Sequence, residues 1–139
     1  MSTLSAAADQ LRHTLTSQPN WQEMYRLLLQ NAKQAPVLPE EARTAACQVH
    51  GCEANVYLAL SGTQQAVHFH FYSDARMVHA LIHTALLPLQ GQSAAYISAF
   101  DVQAWLRSCQ LDQQLSPSRS NGLFQVIKAA KARAQQLPK

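Results

Sequence analysis

Cysteine and histidine gather in one short stretch of this chain: Cys47-Gln48-Val49-His50-Gly51-Cys52-Glu53-Ala54-Asn55. A thiol offers three chemistries. As a thiolate it attacks sulfur–sulfur bonds, with an imidazole beside it it attacks carbonyl carbon, and as a soft ligand it holds a metal. Cys47, His50, Cys52, His68 and His70 supply the ligand types for a metal module, but Cys-x2-His-x-Cys matches no usual structural zinc spacing. A cysteine hydrolase needs a Cys–His pair, which six histidines permit, yet no recognised nucleophile motif surrounds any of the three cysteines. A scaffold without chemistry is the remaining alternative to thiol exchange.

The three thiols read differently. Gly51 beside Cys52 allows a backbone conformation or a close approach that a Cβ would obstruct. A thiol with an ordinary pKa near ~8.5 is only a few per cent thiolate at neutral pH. His50 is a candidate activator, whereas the negative charge of Glu53 works against ionisation. Cys47 is either idle or an oxidation partner for Cys52, with four residues between them. Cys109 follows a Trp105 helix and reads as an inert, partly buried packing thiol.

Something must position these groups. Leu4, Ala8, Leu11 and Leu15 mark a first helix that fades near Ser17-Gln18-Pro19. Asn20 with Glu23 forms a capping box before the stripe Trp21, Met24, Tyr25, Leu28 and Leu29. Residues 36–41, with two prolines, read as an ordered loop. Residues 55–60 and 66–72 alternate around Ser61–Gln65, the pattern of a hairpin, and His68 and His70 fall on its outer face. Ser73 or Asp74 is the expected cap of a third helix carrying Met77, Val78, Leu81, Ile82, Ala85 and Leu86. A short helix is expected at 93–98, one capped by Asp101 through Leu106, and a long one from Ser116-Pro117 with Leu123, Val126, Ile127, Ala130 and Ala134 inward. The expected class is α+β: a single domain spanning 1–139, with a small antiparallel sheet, hairpin plus a possible third strand, packed against several helices.

Composition agrees with one self-sufficient domain. A chain of 139 residues, 47% hydrophobic and 14% charged, is neither disordered nor a linker. It can bury roughly two-thirds of its unfolded surface without disulfides or a metal. The net charge of +3 resides in one segment: five basic residues and no carboxylate from Arg119 onward, against six basic and eight acidic before it. Such sparse charge with little aromatic interleaving argues against nucleic acid and suits a dipole-matched helix end. The N-terminal residues Met1 to Asp9 lack a signal-peptide pattern, and no stretch nears the ~20 apolar residues of a membrane span, so a reducing cytoplasm is expected.

Beyond single features, the segment His50-Gly51-Cys52-Glu53 followed by Val56-Tyr57-Leu58 resembles the active loop of SufE/CsdE-type sulfur acceptors. The resemblance runs through most of the chain. It takes in Trp21 with Tyr25, Leu38-Pro39, Tyr72-Ser73-Asp74-Ala75, Phe100-Asp101-Val102 with Trp105, and Leu115-Ser116-Pro117-Ser118-Arg119-Ser120-Asn121-Gly122-Leu123. Two departures stand out: Tyr57 occupies a position where tryptophan is usual, and Ala54-Asn55 replaces a more polar pair.

The resemblance implies a sulfur carrier rather than an enzyme, with no cofactor of its own. A pyridoxal-phosphate cysteine desulfurase would load Cys52 with sulfane sulfur and be stimulated by it, and an iron–sulfur assembly scaffold or another acceptor would receive the sulfur. His50, Gly51, Arg119 and Asp74 would support Cys52. Arg119 lies in the first turn of its helix, where a cation opposes the dipole, so it is expected to have a partner such as Asp74 or the desulfurase. A monomer or weak homodimer is expected.

Overall fold

Ser5 opens the first helix, α1 (Ala6–Thr16), by accepting a hydrogen bond from the Ala8 N–H. Asn20 does the same for α2 (Trp21–Asn31) through the Glu23 N–H. The computed structural model describes residues 4–139. Met1, Ser2 and Thr3, which entered the leaderless reading of the N-terminus, lie outside the described residues. Among the described residues no helix is long and apolar enough to cross a membrane.

The hairpin is formed by β1 (Val56–Thr63) and β2 (Ala66–Ser73), antiparallel, with Leu58 opposite Phe71 and Leu60 opposite Phe69. Its turn is tighter than the expected 61–65, because both strands continue to Gln64-Gln65. Gly62 makes this possible: its φ is +93°, and a Cβ there would lie 2.2 Å from the Ala66 carbonyl oxygen. Val56, Leu58, Val67, Phe69 and Phe71 are buried on one face, as alternation demands. No full third strand accompanies the sheet among the described residues. Each edge carries a single bridge instead, Val37 beside Phe71 and Gln48 beside Tyr57.

The helix α3 (Arg76–Leu86) is buried continuously from Ala80 to Leu86, far more than one stripe. That burial comes from contacts with α2, β2, α5 (Val102–Ser108) and α6 (Pro117–Ala134). Its polar groups are satisfied internally: the Thr84 hydroxyl donates to Ala80, and the Thr84 carbonyl accepts from the Trp105 indole at 2.9 Å. His83 is buried there, and burial, with His79 nearby, lowers its pKa to about 4. Neither Ser73 nor Asp74 caps α3. Ala75 holds the N-cap position without a side-chain bond, Ser73 Oγ accepts from the Ala75 N–H, and Asp74 is engaged elsewhere.

Ser93, Asp101 and Ser116 cap α4 (Ala94–Ala99), α5 and α6 through the N–H groups of Tyr96, Ala104 and Arg119. The expected core of α6, Leu123, Val126, Ile127, Ala130 and Ala134, is buried throughout. The late basic residues of α6 do more than match its dipole. Lys131 donates to the carbonyls of Phe100 and Ser98 at the end of α4, and Arg133 reaches the β1 edge. Beyond α6, the Pro138 carbonyl accepts from the Gln64 N–H at 2.8 Å, fastening the segment after the helix to the hairpin turn.

Candidate functional site

The Cys52 segment is itself a hairpin-like loop. Cys47 closes a 3₁₀ turn, donating its N–H to Thr44. Gln48 then runs extended beside Tyr57, and the Val49 N–H donates to the Val56 carbonyl at 2.9 Å. Residues 50–55 therefore form a tip projecting from a paired base. Gly51 turns the chain with φ +89°, and a Cβ there would meet the Gln125 side chain at 3.2 Å. The glycine serves both purposes expected of it, the left-handed backbone and the close approach.

Cys52 follows at the tip. Its side chain is half-buried and packs on the edge of the core. The thiol donates to the Gly122 carbonyl of α6 at 3.4 Å. The sulfur sits beside the Gly122 backbone, and a Cβ there would meet Cys52 Sγ only at an ordinary contact distance of 3.8 Å. Partial burial raises the thiol pKa, which favours the neutral thiol over the thiolate. Gly122 also borders a void of about 10 Å³ between α3 and α6, lined by Val78, Leu81, Ile82, Leu123, Val126 and the Arg119 side chain.

The supporting residues divide. His50 is exposed and forms no hydrogen bond to Cys52, so it does not activate the thiol in this conformation. Arg119 is exposed, and among the described residues its guanidinium has no ion-pair partner. The expected Arg119–Asp74 pair does not form. Asp74 accepts instead from the Asn55 amide at 3.1 Å, which ties the outgoing arm of the loop to the start of α3. That correction has a local cause: Asn55 is separated from Asp74 only by the width of the hairpin, since Val56 pairs with Ser73.

The other thiols are separate. All three cysteines are free. Cys47 is half-buried and accepts a long 3.7 Å contact from the Thr44 hydroxyl. Cys109 is completely buried rather than partly so, and burial is the main cause that pushes its pKa up to about 11. Among the described residues no group of three His, Cys, Asp or Glu side chains could hold a metal, so the Cys47/His50/Cys52 metal module is not supported. His68 and His70 lie on the outer face of β2, away from the buried Val67, Phe69 and Phe71. No histidine hydrogen bonds to Cys52 among the described residues, which leaves the hydrolase reading without its base.

One residue that the sequence reading passed over is central here. The Arg133 guanidinium of α6 donates to the carbonyls of Leu58, Gln48 and Cys47, at 2.6, 3.1 and 3.3 Å. Its only sequence signal was a cation near a helix end, which points equally to the dipole.

The Fe-S metabolism associated domain family, SufE, matches residues 9–134. The chain belongs to the SufE family. A curated relative, the sulfur acceptor protein CsdE of Escherichia coli K12, is 33% identical over 134 residues, spanning 96% of this chain and 91% of the relative. A solution structure of a hypothetical protein from Thermus thermophilus superposes with a TM-score of 0.76 at 19% identity, covering 96% of this chain and 97% of that one. That likeness concerns the fold and extends over nearly the whole length of both chains.

Proposed function

We propose that this SufE-family chain is a sulfur acceptor for a cysteine desulfurase and that Cys52 carries the sulfur. The observation that carries the reading is the seat of Cys52: a half-buried loop-tip thiol whose one hydrogen bond is a weak one to the Gly122 carbonyl. Such a thiol is shielded at rest and can leave its seat without breaking the core.

In the transfer, the desulfurase presents a persulfide on its own cysteine. The Cys52 thiolate attacks the outer sulfur. The sulfur–sulfur bond of the donor breaks, the donor cysteine leaves as a thiolate, and Cys52 becomes the persulfide. The proton lost by Cys52 matches the one the leaving thiolate takes up, and no net oxidation occurs. Burial holds the resting thiol protonated. Outward movement of residues 50–55 relieves that burial and lowers the pKa as the thiol enters the partner's site. Returning to Gly122 shields the loaded sulfur again.

The remaining site residues take supporting roles. Gly51 supplies the turn. His50, exposed one residue before it, acts only once the loop is extended. Arg119, in the first turn of α6 near Gly122, and Asp74, held by Asn55 just ahead of α3, serve docking rather than chemistry. Pyridoxal phosphate belongs to the desulfurase, and this chain brings no cofactor. The sulfur passes on to an iron–sulfur assembly scaffold or another acceptor in the cytoplasm, with this chain acting as a monomer or weak homodimer and turning over nothing alone.

Incubation with a cysteine desulfurase and L-cysteine tests the reading. The Cys52 peptide gains about 32 Da, removable by reductant, the mark of one added sulfur. Absence of that increment, with the desulfurase active, overturns it.

A further inference from the structure

The loop that carries Cys52 begins where a β-ladder stops early. Gln48 lies beside Tyr57 and the Val49 N–H donates to Val56, so the next ladder bond in this register would run from the Cys47 N–H to the Leu58 carbonyl. That bond is not made. Cys47 belongs to a 3₁₀ turn and gives its N–H to Thr44 at 3.0 Å. The Leu58 carbonyl on the outer edge of β1 is thereby left without a strand partner.

Arg133 fills the place of the missing bond. Its Nη1 donates to Leu58 at 2.6 Å and to Cys47 at 3.3 Å, and its Nη2 donates to Gln48 at 3.1 Å. Two of these carbonyls belong to the incoming arm of the loop and one to the outgoing strand. A planar guanidinium with five donors can serve three carbonyls at once, and an ammonium cannot hold the same fork. The helix that supplies Arg133 also supplies Gly122, which receives the thiol, and Gln125, which meets Gly51. Base and seat are thus referred to one rigid element.

Resting on the reading of Cys52 as the acceptor, we propose that Arg133 is a positioning residue for sulfur transfer: it locks the base of the Cys52 loop to α6 so that only the tip, residues 50–55, moves between the Gly122 seat and the desulfurase. Without the lock, the hinge shifts down into Cys47 and Gln48. The thiol then leaves its seat more often and arrives at the partner in more orientations.

Arg133→Met keeps most of the stem and removes every donor, and Arg133→Lys keeps the charge and loses the fork. Iodoacetamide alkylation of the free protein, read peptide by peptide, follows Cys52 and uses the sealed Cys109 as an internal reporter of global opening. Expected for Arg133→Met is a roughly tenfold faster reaction at Cys52 with Cys109 unchanged, the size set by losing hydrogen bonds to a charged group. Arg133→Lys falls between, and it carries the test alone if the Met variant does not fold. With a desulfurase, the stimulated rate at saturating carrier falls while the half-saturating concentration stays within about twofold, because the docking surface is intact. Equal acceleration at Cys52 and Cys109 would make Arg133 a general stability residue and overturn the proposal, as would an unchanged Cys52 rate. Failure of the carrier reading is distinct: the unaltered chain would then take up no sulfur, whatever alkylation shows.

Discussion

Cys52 and Cys109 are the same residue put to opposite uses. Cys109 ends α5, where its own N–H donates to Trp105 and Leu106 and its side chain has no exposure. Cys52 ends a loop, touches helix backbone through one 3.4 Å contact and keeps part of its surface in solvent. Burial raises the pKa of both, to about 11 at Cys109. The difference lies in what must move to expose the sulfur. At Cys109 the packing of α5 must open, whereas at Cys52 six residues must lift. Under the proposed function, reactivity is set by local mobility rather than by a resting charge on the thiol.

The largest effect is expected from Cys52→Ser. Sulfur uptake and desulfurase stimulation fall to background, while stability in urea stays within about 0.5 kcal/mol, as for a change at a partly exposed tip. Cys109→Ser does the reverse: sulfur uptake persists, and burying a hydroxyl in a sealed site costs about 1–3 kcal/mol in the same titration. A Cys109→Ser chain that lost uptake while still folded would erase the contrast.

The pH axis separates the two thiols again. The folded pKa of Cys109 is above the ordinary thiol value, so the unfolded chain releases the proton first. Its contribution is complete below pH 9 and is lost as pH rises toward 11, at up to about 1.4 kcal/mol per pH unit. Urea midpoints should decline over that window, and Cys109→Ala should flatten the decline. Smaller still is Gly51→Ala. Its left-handed backbone and the 3.2 Å approach to Gln125 make a Cβ cost about 1 kcal/mol, and alkylation of Cys52 should quicken while Cys109 stays silent.

Much of the frame was legible because local chemistry determines it. Asn20, Asp101 and Ser116 each cap a helix, and the alternation of Val67, Phe69 and Phe71 matches the buried face of β2. Cys52 stood out because a glycine precedes it and a strand follows. What stayed hidden depends on long-range geometry. Asp74 turned to Asn55 rather than to Arg119 because the register of β1 and β2 brings those two residues together. The three carbonyls under Arg133 lie 75 to 86 residues away in sequence, and an acceptor on the backbone leaves no trace in residue type.

That same distance governs the order of assembly. The seat for Cys52 is a carbonyl 70 residues downstream, and the clamp on the loop's base lies farther still. Contacts of such separation form late, after the closure entropy of the intervening chain has been met. The hairpin alone offers the thiol no seat, and Cys52 is stowed only when α6 docks. Any chain in which α6 is undocked leaves Cys52 open to oxidants and unselective electrophiles, and docking of the helix ends that exposure.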